Sequence, residues 1–327
     1  MPETNSGQKE SLYPLLDYLA QNNHPMNGPW QGWQITKIEG GFNNLLYRAS
    51  GSVGDFAIKF TIRDQRDRAG REYGALLALQ MANLPIAPQP ILLERHRYAQ
   101  PVVVQSWLEG NVLTSPPISD TEWEDLLKHY ARVHTLTPDK VEIELPGAAL
   151  DIRNVEAGRV RIWYEVDCIP DEAQPASLQV LLDRFEREVS LDSQTVSLAL
   201  CRVDSNHQNF IQQPGGIVSV DWENSGWSDP AFEIAELMTH PVYMDVPLAR
   251  WDWVMDTYCK LTDNPATAKR IRDYYRIMLV WWVARLARFL YEVPRGLDQR
   301  LVSQPDGWQA KKQIQYEHYL RLAEMML

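Results

Sequence analysis

Cysteine is scarce in this chain of 327 residues, which carries only Cys168, Cys201 and Cys259. They are too scattered for a zinc knuckle and too few for a disulfide framework, so a reduced, cytoplasmic setting is the expectation. Long apolar runs are missing too. The longest, Ile277-Met278-Leu279-Val280-Trp281-Trp282-Val283-Ala284, is far shorter than the about 20 residues a membrane span needs. Met1-Pro2-Glu3-Thr4-Asn5-Ser6 is polar and has no basic-then-apolar pattern, so no export signal is expected there. Positive charge is in deficit, with 32 Lys and Arg against 43 Asp and Glu and a net charge of -11. That balance argues against nucleic-acid phosphates as a partner. It suits a cationic small molecule, and it equally suits plain solubility. The chain also lacks G-x-S-x-G, H-E-x-x-H and paired C-x-x-C motifs, internal repeats and low-complexity tracts. These gaps remove the common hydrolase, zinc-protease and dithiol chemistries from consideration.

Apolar residues, at 45% of the chain, are plentiful enough for a substantial core. The length suits two ordinary domains or one large two-lobed unit. From about Gln31 to Ser106, short strand-like runs alternate with one helix. Trp33–Ile38, Asn44–Ala49, Phe56–Phe60 and Val102–Trp107 read as strands. From Asp120 onward the pattern is mainly helical apart from a central hairpin. Leu126-Leu127, Tyr130-Ala131 and Val133-His134 recur at helical spacing, and Thr135-Leu136-Thr137-Pro138 ends that run.

The hairpin carries the chemistry. Cys201-Arg202-Val203-Asp204-Ser205-Asn206-His207-Gln208-Asn209-Phe210 is followed, across the turn Gln213-Pro214-Gly215-Gly216, by Ile217-Val218-Ser219-Val220-Asp221-Trp222-Glu223. Asn209 and Asp221 are equally far from Gly215, so a simple register sets them opposite each other. Their Cβ atoms would lie roughly 5 Å apart, close enough for both oxygens to share hard cations. Asp204 precedes them on the loop into the first strand. A carboxylate that orients a hydroxyl, with an amide and a carboxylate that hold magnesium, is the set that phosphoryl transfer from ATP requires.

These residues also resemble a known family. The D-x-x-x-x-N spacing from Asp204 to Asn209, the strand ending in Val220-Asp221-Trp222-Glu223, and the run Ser228-Asp229-Pro230-Ala231-Phe232-Glu233-Ile234-Ala235 are similar to those of the aminoglycoside phosphotransferase and choline kinase family. The match runs from about Gly40 to about Leu237. It implies an α+β, protein-kinase-like two-lobed fold. Residues 1–106 would form a β-rich lobe that handles nucleotide phosphates. Residues 107–327 would form a larger, mainly helical lobe with the catalytic loop, metal site and acceptor site. The cofactors implied are ATP and Mg2+, with Asp204 catalytic and Asn209 and Asp221 as metal ligands. The connector Trp107-Leu108-Glu109-Gly110 would bond adenine near Ser106 and Leu108. Gly40-Gly41-Phe42-Asn43-Asn44 fits the family's phosphate loop, with Gly40, Gly41 and Asn43 as nucleotide contacts, because glycines let amides approach phosphates closely. Phe56-Ala57-Ile58-Lys59 resembles the V-A-I-K strand whose lysine contacts the phosphates.

Several residues carry two readings. Glu72 falls on the inward stripe of Ala69, Leu76 and Leu79, where a carboxylate needs a cation. Lys59 is the natural partner, and a surface pair with Arg68 is the alternative. Arg202 stands where the family has histidine, and Val203 where it has glycine. Arg202 is a candidate partner for Asp229, which reads as a helix N-cap before Pro230 and, by resemblance, as a brace for the catalytic loop. His207 is either a substrate contact or a solvated loop residue. Trp163-Tyr164, Tyr274-Tyr275 and Trp281-Trp282 either cage an amine or pack the helical core. The leading expectation is a kinase acting on a hydroxyl of an aminoglycoside-like, amino-alcohol or sugar-like small molecule. The competing one is a pseudokinase-type nucleotide-binding module, with Arg202 and Val203 in its favour. Joint retention of Lys59, Glu72, Asp204, Asn209 and Asp221 weighs against it. A protein kinase is weaker still, since nothing after Asp221 resembles an activation loop ending in A-P-E. No nucleic-acid or membrane partner is expected.

Overall fold

The computed structural model describes residues 6–21, 27–38, 44–188, 196–297 and 306–327. The expected phosphate-loop contacts Gly40, Gly41 and Asn43 lie outside the described residues. Helix α1 (Ser6–Gln21) is followed by strands β1 (Gly28–Trp30), β2 (Trp33–Ile38), β3 (Asn44–Gly51) and β4 (Gly54–Thr61). Then come helix α2 (Arg68–Met81) and strands β5 (Pro90–Glu94) and β6 (Val102–Ser106). The strands form one sheet in the order β1-β2-β3-β4-β6-β5, with antiparallel pairing throughout.

Side chains alternate across this sheet. Leu12, Leu15, Leu16 and Leu19 of α1, at helical spacing, pack onto Ile35, Tyr47, Phe56, Ile58 and Phe60 on one face. The period of two sends Lys59 to the opposite face, toward α2. There Ala75, Leu76 and Leu79 turn away from the α1 core and pack with Val133, Leu136, Leu200 and Trp222. Helix α2 is therefore shared between the sheet and the rest of the molecule.

Beyond β6 the chain crosses through β7 (Asn111–Val112) into helices α3 (Asp120–Val133), α4 (Val155–Val166) and α5 (Ala176–Glu188). Ser119 and Glu122 form a capping box at the start of α3, and Trp123, Leu126, Leu127, Tyr130 and Val133 form its buried stripe. Strands β8 (Ala199–Cys201), β9 (Phe210–Gln213), β10 (Gly216–Ser219) and β11 (Gly226–Ser228) follow. Helices α6 (Pro230–Thr239), α7 (Leu248–Leu261), α8 (Thr267–Glu292) and α9 (Trp308–Met326) complete the chain. Helix α6 is the axle of this part. Ala231 to Thr239 are all buried, so its carboxylates Glu233 and Glu236 need partners inside the protein. Asp229 caps it, accepting from Ala231 N at 3.0 Å, with Pro230 in the first turn. No helix of the described residues is long and apolar enough to cross a membrane.

The expected strands between Trp33 and Trp107, helix α2 and the α3 stripe are present. Strands β1, β5, β7, β8 and β11 add to the expected set. The hairpin differs in register. Gly216 pairs with Gln213 and Ser219 with Phe210, so Pro214-Gly215 is a two-residue turn, with Gly216 at φ 113°. Asn209 consequently faces Val220, whose N–H donates to the Asn209 carbonyl at 2.9 Å, and not Asp221. A slip of one residue ordinarily sends a side chain to the other face. Here Asp221 has left the strand with φ 62°, and that bend directs its carboxylate toward Lys59.

Gly226 is where β11 passes closest to another backbone. A Cβ there would lie 2.4 Å from the Pro146 carbonyl oxygen and 2.6 Å from Ala148 N. Gly226→Ala is therefore expected to cost about 1–3 kcal/mol, the usual range for forced backbone displacement. A urea midpoint equal to that of the wild type would remove this constraint.

Candidate active site

Four elements meet around one ammonium group. Lys59 from β4 donates to Glu72 Oε2 of α2 at 2.8 Å and to Asp221 Oδ1, and it lies 3.2 Å from Glu223 Oε2. Arg68, at the start of α2, donates to the other Glu223 oxygen, and Asn44 Nδ2 at the head of β3 donates to Oε2 at 2.7 Å. The expected Lys59–Glu72 pair is thus formed. Arg68 serves Glu223 and Asp64 instead of Glu72. Lys59 is 5% exposed and Glu72 0%, so the pair is dry and each charge depends on the other.

The charges do not balance. Glu72, Asp221 and Glu223 face Lys59 and Arg68, leaving one negative charge in excess when all are ionised. Burial pushes the Glu72 carboxyl up to about 7 against the pull of Lys59, and its Oε1 has no hydrogen-bond partner among the described residues. Burial also raises Asp221 despite Lys59. For Glu223 burial acts in the same direction, but Lys59, Arg68 and Asn44 together hold it below the ordinary range. Burial disfavours the Lys59 charge, yet the three carboxylates keep its ammonium protonated well past the usual lysine range. Ligand oxygens of Glu72, Asp221 and Glu223 all lie within 4.8 Å of one another. Hard carboxylate oxygens with a surplus negative charge fit a magnesium ion.

Asp204 lies on the loop leaving β8. Its Oδ1 accepts from Asn206 N at 3.3 Å and sits 3.6 Å from His240 Nε2, just past the end of α6. Burial raises its carboxyl pKa against the opposing pull of Arg202. The loop hangs from α6: Glu233 Oε1 accepts from Arg202 N at 2.6 Å and Val203 N at 2.8 Å, while Oε2 accepts from His134 Nε2 at 2.6 Å. Glu236 accepts from Ser205 N at 3.2 Å and from its hydroxyl. Val203 adopts φ 53°, a left-handed backbone that a β-branched residue reaches only under strain.

Three expectations change here. Arg202 does not pair with Asp229. Its guanidinium is 1% exposed, donates to the Asp204 carbonyl and stacks 4.6 Å above the Phe210 ring. Asp229 instead accepts from Arg270 Nε at 3.0 Å and Tyr274 Oη at 2.9 Å, and Glu233 is the residue that braces the loop. His207 is not a solvated loop residue. It is buried, with Nδ1 2.9 Å from the Leu113 carbonyl. Asn209 lies in the short turn before β9, its N–H donating to Asn206 O at 2.9 Å. At the connector, the Ser106 N–H donates to Gln89 O at 2.9 Å.

The aromatic pairs divide. Tyr274 and Tyr275 are core. Trp163 and Tyr164 are exposed on α4. Trp282 packs edge-on to His240 and stacks on Tyr319, close to Asp204. Sequence reasoning did not single out Glu223, Glu233, Glu236 or His240, and it named Arg68 only as an alternative surface partner of Glu72. Glu233 and Glu236, two carboxylates in the apolar run Ala231–Met238, were the available signal.

Residues 34–266 match the model of the phosphotransferase enzyme family. Among solved structures the chain is similar to a provisionally assigned aminoglycoside phosphotransferase of Ralstonia eutropha, at TM-score 0.67 and 15% identity over 97% of this chain and 98% of that one. It is similar to a choline/ethanolamine kinase family protein of Mesorhizobium loti, at TM-score 0.60 and 16% identity over 98% and 99%. A spectinomycin phosphotransferase solved with ADP and spectinomycin follows, at TM-score 0.56 and 12% identity over 90% and 93%. The α+β, protein-kinase-like fold expected from the sequence is the fold of these structures.

Burial raises the Glu236 carboxyl to about 8, beyond what the Ser205 bonds offset. The folded state therefore holds a proton that the unfolded chain, with an ordinary glutamate, releases near pH 4. Stability from this group is full below that range and declines as pH rises toward 8. Glu236→Gln is expected to flatten this slope and to melt higher than wild type at pH 8. Parallel Tm-versus-pH curves for the two proteins would contradict it.

Proposed function

The chain belongs to the phosphotransferase enzyme family, and from that premise we propose that it is an ATP- and magnesium-dependent kinase of a hydroxyl-bearing small molecule. The observation that carries the proposal is the contact of one buried ammonium, Lys59, with both Glu72 and Asp221. Glu72 fixes the lysine, leaving it poised to bind nucleotide phosphates once they compete for it. Asp221 and Asn209 would hold magnesium, with Glu223 beside them. The ion would neutralise charge on the phosphates. In this reading residues 1–106 handle the phosphates, the backbone near Ser106 and Leu108 meets adenine, and residues 107–327 bring the acceptor to Asp204. The ADP in the spectinomycin phosphotransferase structure supports nucleotide use.

The chemical step is displacement at the γ-phosphorus. The acceptor hydroxyl oxygen forms the new P–O bond, ADP leaves with the old one, and the hydroxyl proton passes to Asp204. A carboxyl whose pKa is raised by burial is suited to taking that proton as the bond forms. The net charge of -11 favours amine-bearing acceptors over anions at encounter. A cytoplasmic setting, with its supply of ATP, completes the reading.

Calorimetry with ATP and magnesium is the first test. Binding is expected for wild type and its loss for Asp221→Ala, and undiminished metal-dependent binding by that variant would remove Asp221 from the site.

Asp204→Asn should leave nucleotide affinity nearly unchanged and lower turnover by about 100-fold, the scale of lost acid–base assistance. A pseudokinase would bind nucleotide alike in both forms and release ADP with neither. Equal turnover in wild type and variant would take Asp204 out of catalysis.

A further inference from the structure

Strand β6 sends its side chains to two different places. Val102 and Val104 pack on the α1 side of the sheet with Phe56, Ile58 and Phe60 of β4. Val103 and Gln105 face the other way, toward the side on which Lys59 meets Glu72 and Asp221. The register agrees. Val103 stands opposite Lys59 and Gln105 opposite Ala57, and directly opposed residues share a face. Gln105 is 4% exposed, and its Oε1 is buried without a hydrogen-bond partner among the described residues.

An unpaired buried carbonyl costs free energy, and the sheet does not require one here. The three residues before Gln105 are valines, and a fourth apolar side chain would have avoided that cost. Its facing neighbour Ala57 carries no side-chain group that could bond to it. The next residue, Ser106, begins the backbone that meets adenine in the kinase reading. A backbone carbonyl and a backbone amide match the amino hydrogen and the ring-nitrogen acceptor on one edge of adenine. That pairing uses one hydrogen of the 6-amino group and leaves the second without an acceptor. The carbonyl oxygen of Gln105 lies at the same end of β6 and lacks a donor.

We propose that Gln105 selects the base of the nucleotide, its Oε1 accepting from the 6-amino group of adenine and opposing the 6-oxo group of guanine or hypoxanthine. The inference deepens the kinase reading and rests on it. Two carbonyl oxygens brought together have no hydrogen to share, so a 6-oxo purine forfeits the bond and leaves an acceptor buried. Discrimination then comes from the group that the wrong base leaves unpaired.

Calorimetry with magnesium and ATP, GTP or ITP is the test. ITP separates the 6-oxo group from the 2-amino group that guanine adds. ATP is expected to bind wild type about tenfold or more tightly than either of the others. Gln105→Met keeps the length of the side chain and removes its carbonyl. It should narrow the ratio of the ITP and ATP dissociation constants about fivefold or more, on the scale of one hydrogen bond. Without nucleotide this variant, and Gln105→Leu beside it, should melt no lower than wild type, because an unpaired acceptor has gone. A structural role for the carboxamide, such as holding a buried water, predicts the reverse, a lower Tm with the ratio unchanged. That result, or ITP binding wild type as tightly as ATP, would overturn the inference. Tighter binding of GTP and ITP than of ATP would overturn it too, since the carboxamide would then present Nε2 to the base. Absence of binding by all three nucleotides would break the kinase reading and this inference with it, whereas unselective binding would overturn this inference alone.

Discussion

The Lys59 ammonium is the group on which both halves of the molecule depend. It is buried, and it touches carboxylates from α2 and from the segment after β10. Removing an ion from water costs several kcal/mol, and only well-placed opposite charges offset it. The position of β4 in the sheet, the inward face of α2 and the bend at Asp221 are thereby tied to one another. Arg68 and Asn44 reach Glu223 across the same boundary, so the sheet and the helical part are joined by charge as well as by the apolar cluster around Trp222. The surplus negative charge at this junction has a functional consequence. It is a poor arrangement for an isolated fold and a good one for a fold that takes up a cation.

A second hub stands opposite. Glu233 holds two consecutive backbone amides of the loop that carries Asp204 and a histidine side chain. Burial works against its ionisation, but His134, the Val203 amide and Arg202 hold the carboxyl below its ordinary pKa. This anchor accounts for how the loop tolerates its two departures from the family pattern. Val203 is held in a left-handed conformation that glycine would adopt freely, a strain of roughly 1–3 kcal/mol. Arg202 turns inward over Phe210 and clasps the Asp204 carbonyl. The backbone path is thus set from α6 at residues 202 and 203 and by the Arg202 guanidinium at Asp204.

Much of this was legible in the sequence. The resemblance of Phe56-Ala57-Ile58-Lys59 to a kinase strand singled out Lys59, the helical stripe gave Glu72, and together they predicted a contact present at 2.8 Å. Asp229 and Pro230 announced the start of α6 by local capping chemistry alone. The register of the hairpin was not legible, because Pro-Gly-Gly can close with either of two turn lengths and the difference is one residue. Nor were the roles of Arg202 and His207, whose partners lie on distant elements. His240 belongs to the same class. Nothing near it in sequence points to Asp204, and only the packing of α6 brings the two together. Glu233 and Glu236 were visible as charges in an apolar run, but which groups they serve depends on the tertiary path of the loop.

Left-handed backbone occurs at Gln31, Asp67, Asn83 and Asp263 as well as at Val203 and Asp221, but only the last two stand beside a buried charge cluster, and that bears on whether the site is active. A nucleotide-binding scaffold needs its core and its cleft. It has no need of a valine at φ 53° beside Asp204, an aspartate at φ 62° against Lys59, or a buried carboxylate whose second oxygen lacks a partner. Each of these lowers the stability of the folded chain, and mutation readily removes such costs where nothing requires them. Their joint presence around Lys59 and Asp204 is what a site kept for chemistry would retain. Arg202 and Val203 therefore mark a different way of holding the Asp204 loop, in which Glu233 carries the backbone and Asp204 keeps its carboxylate beside His240.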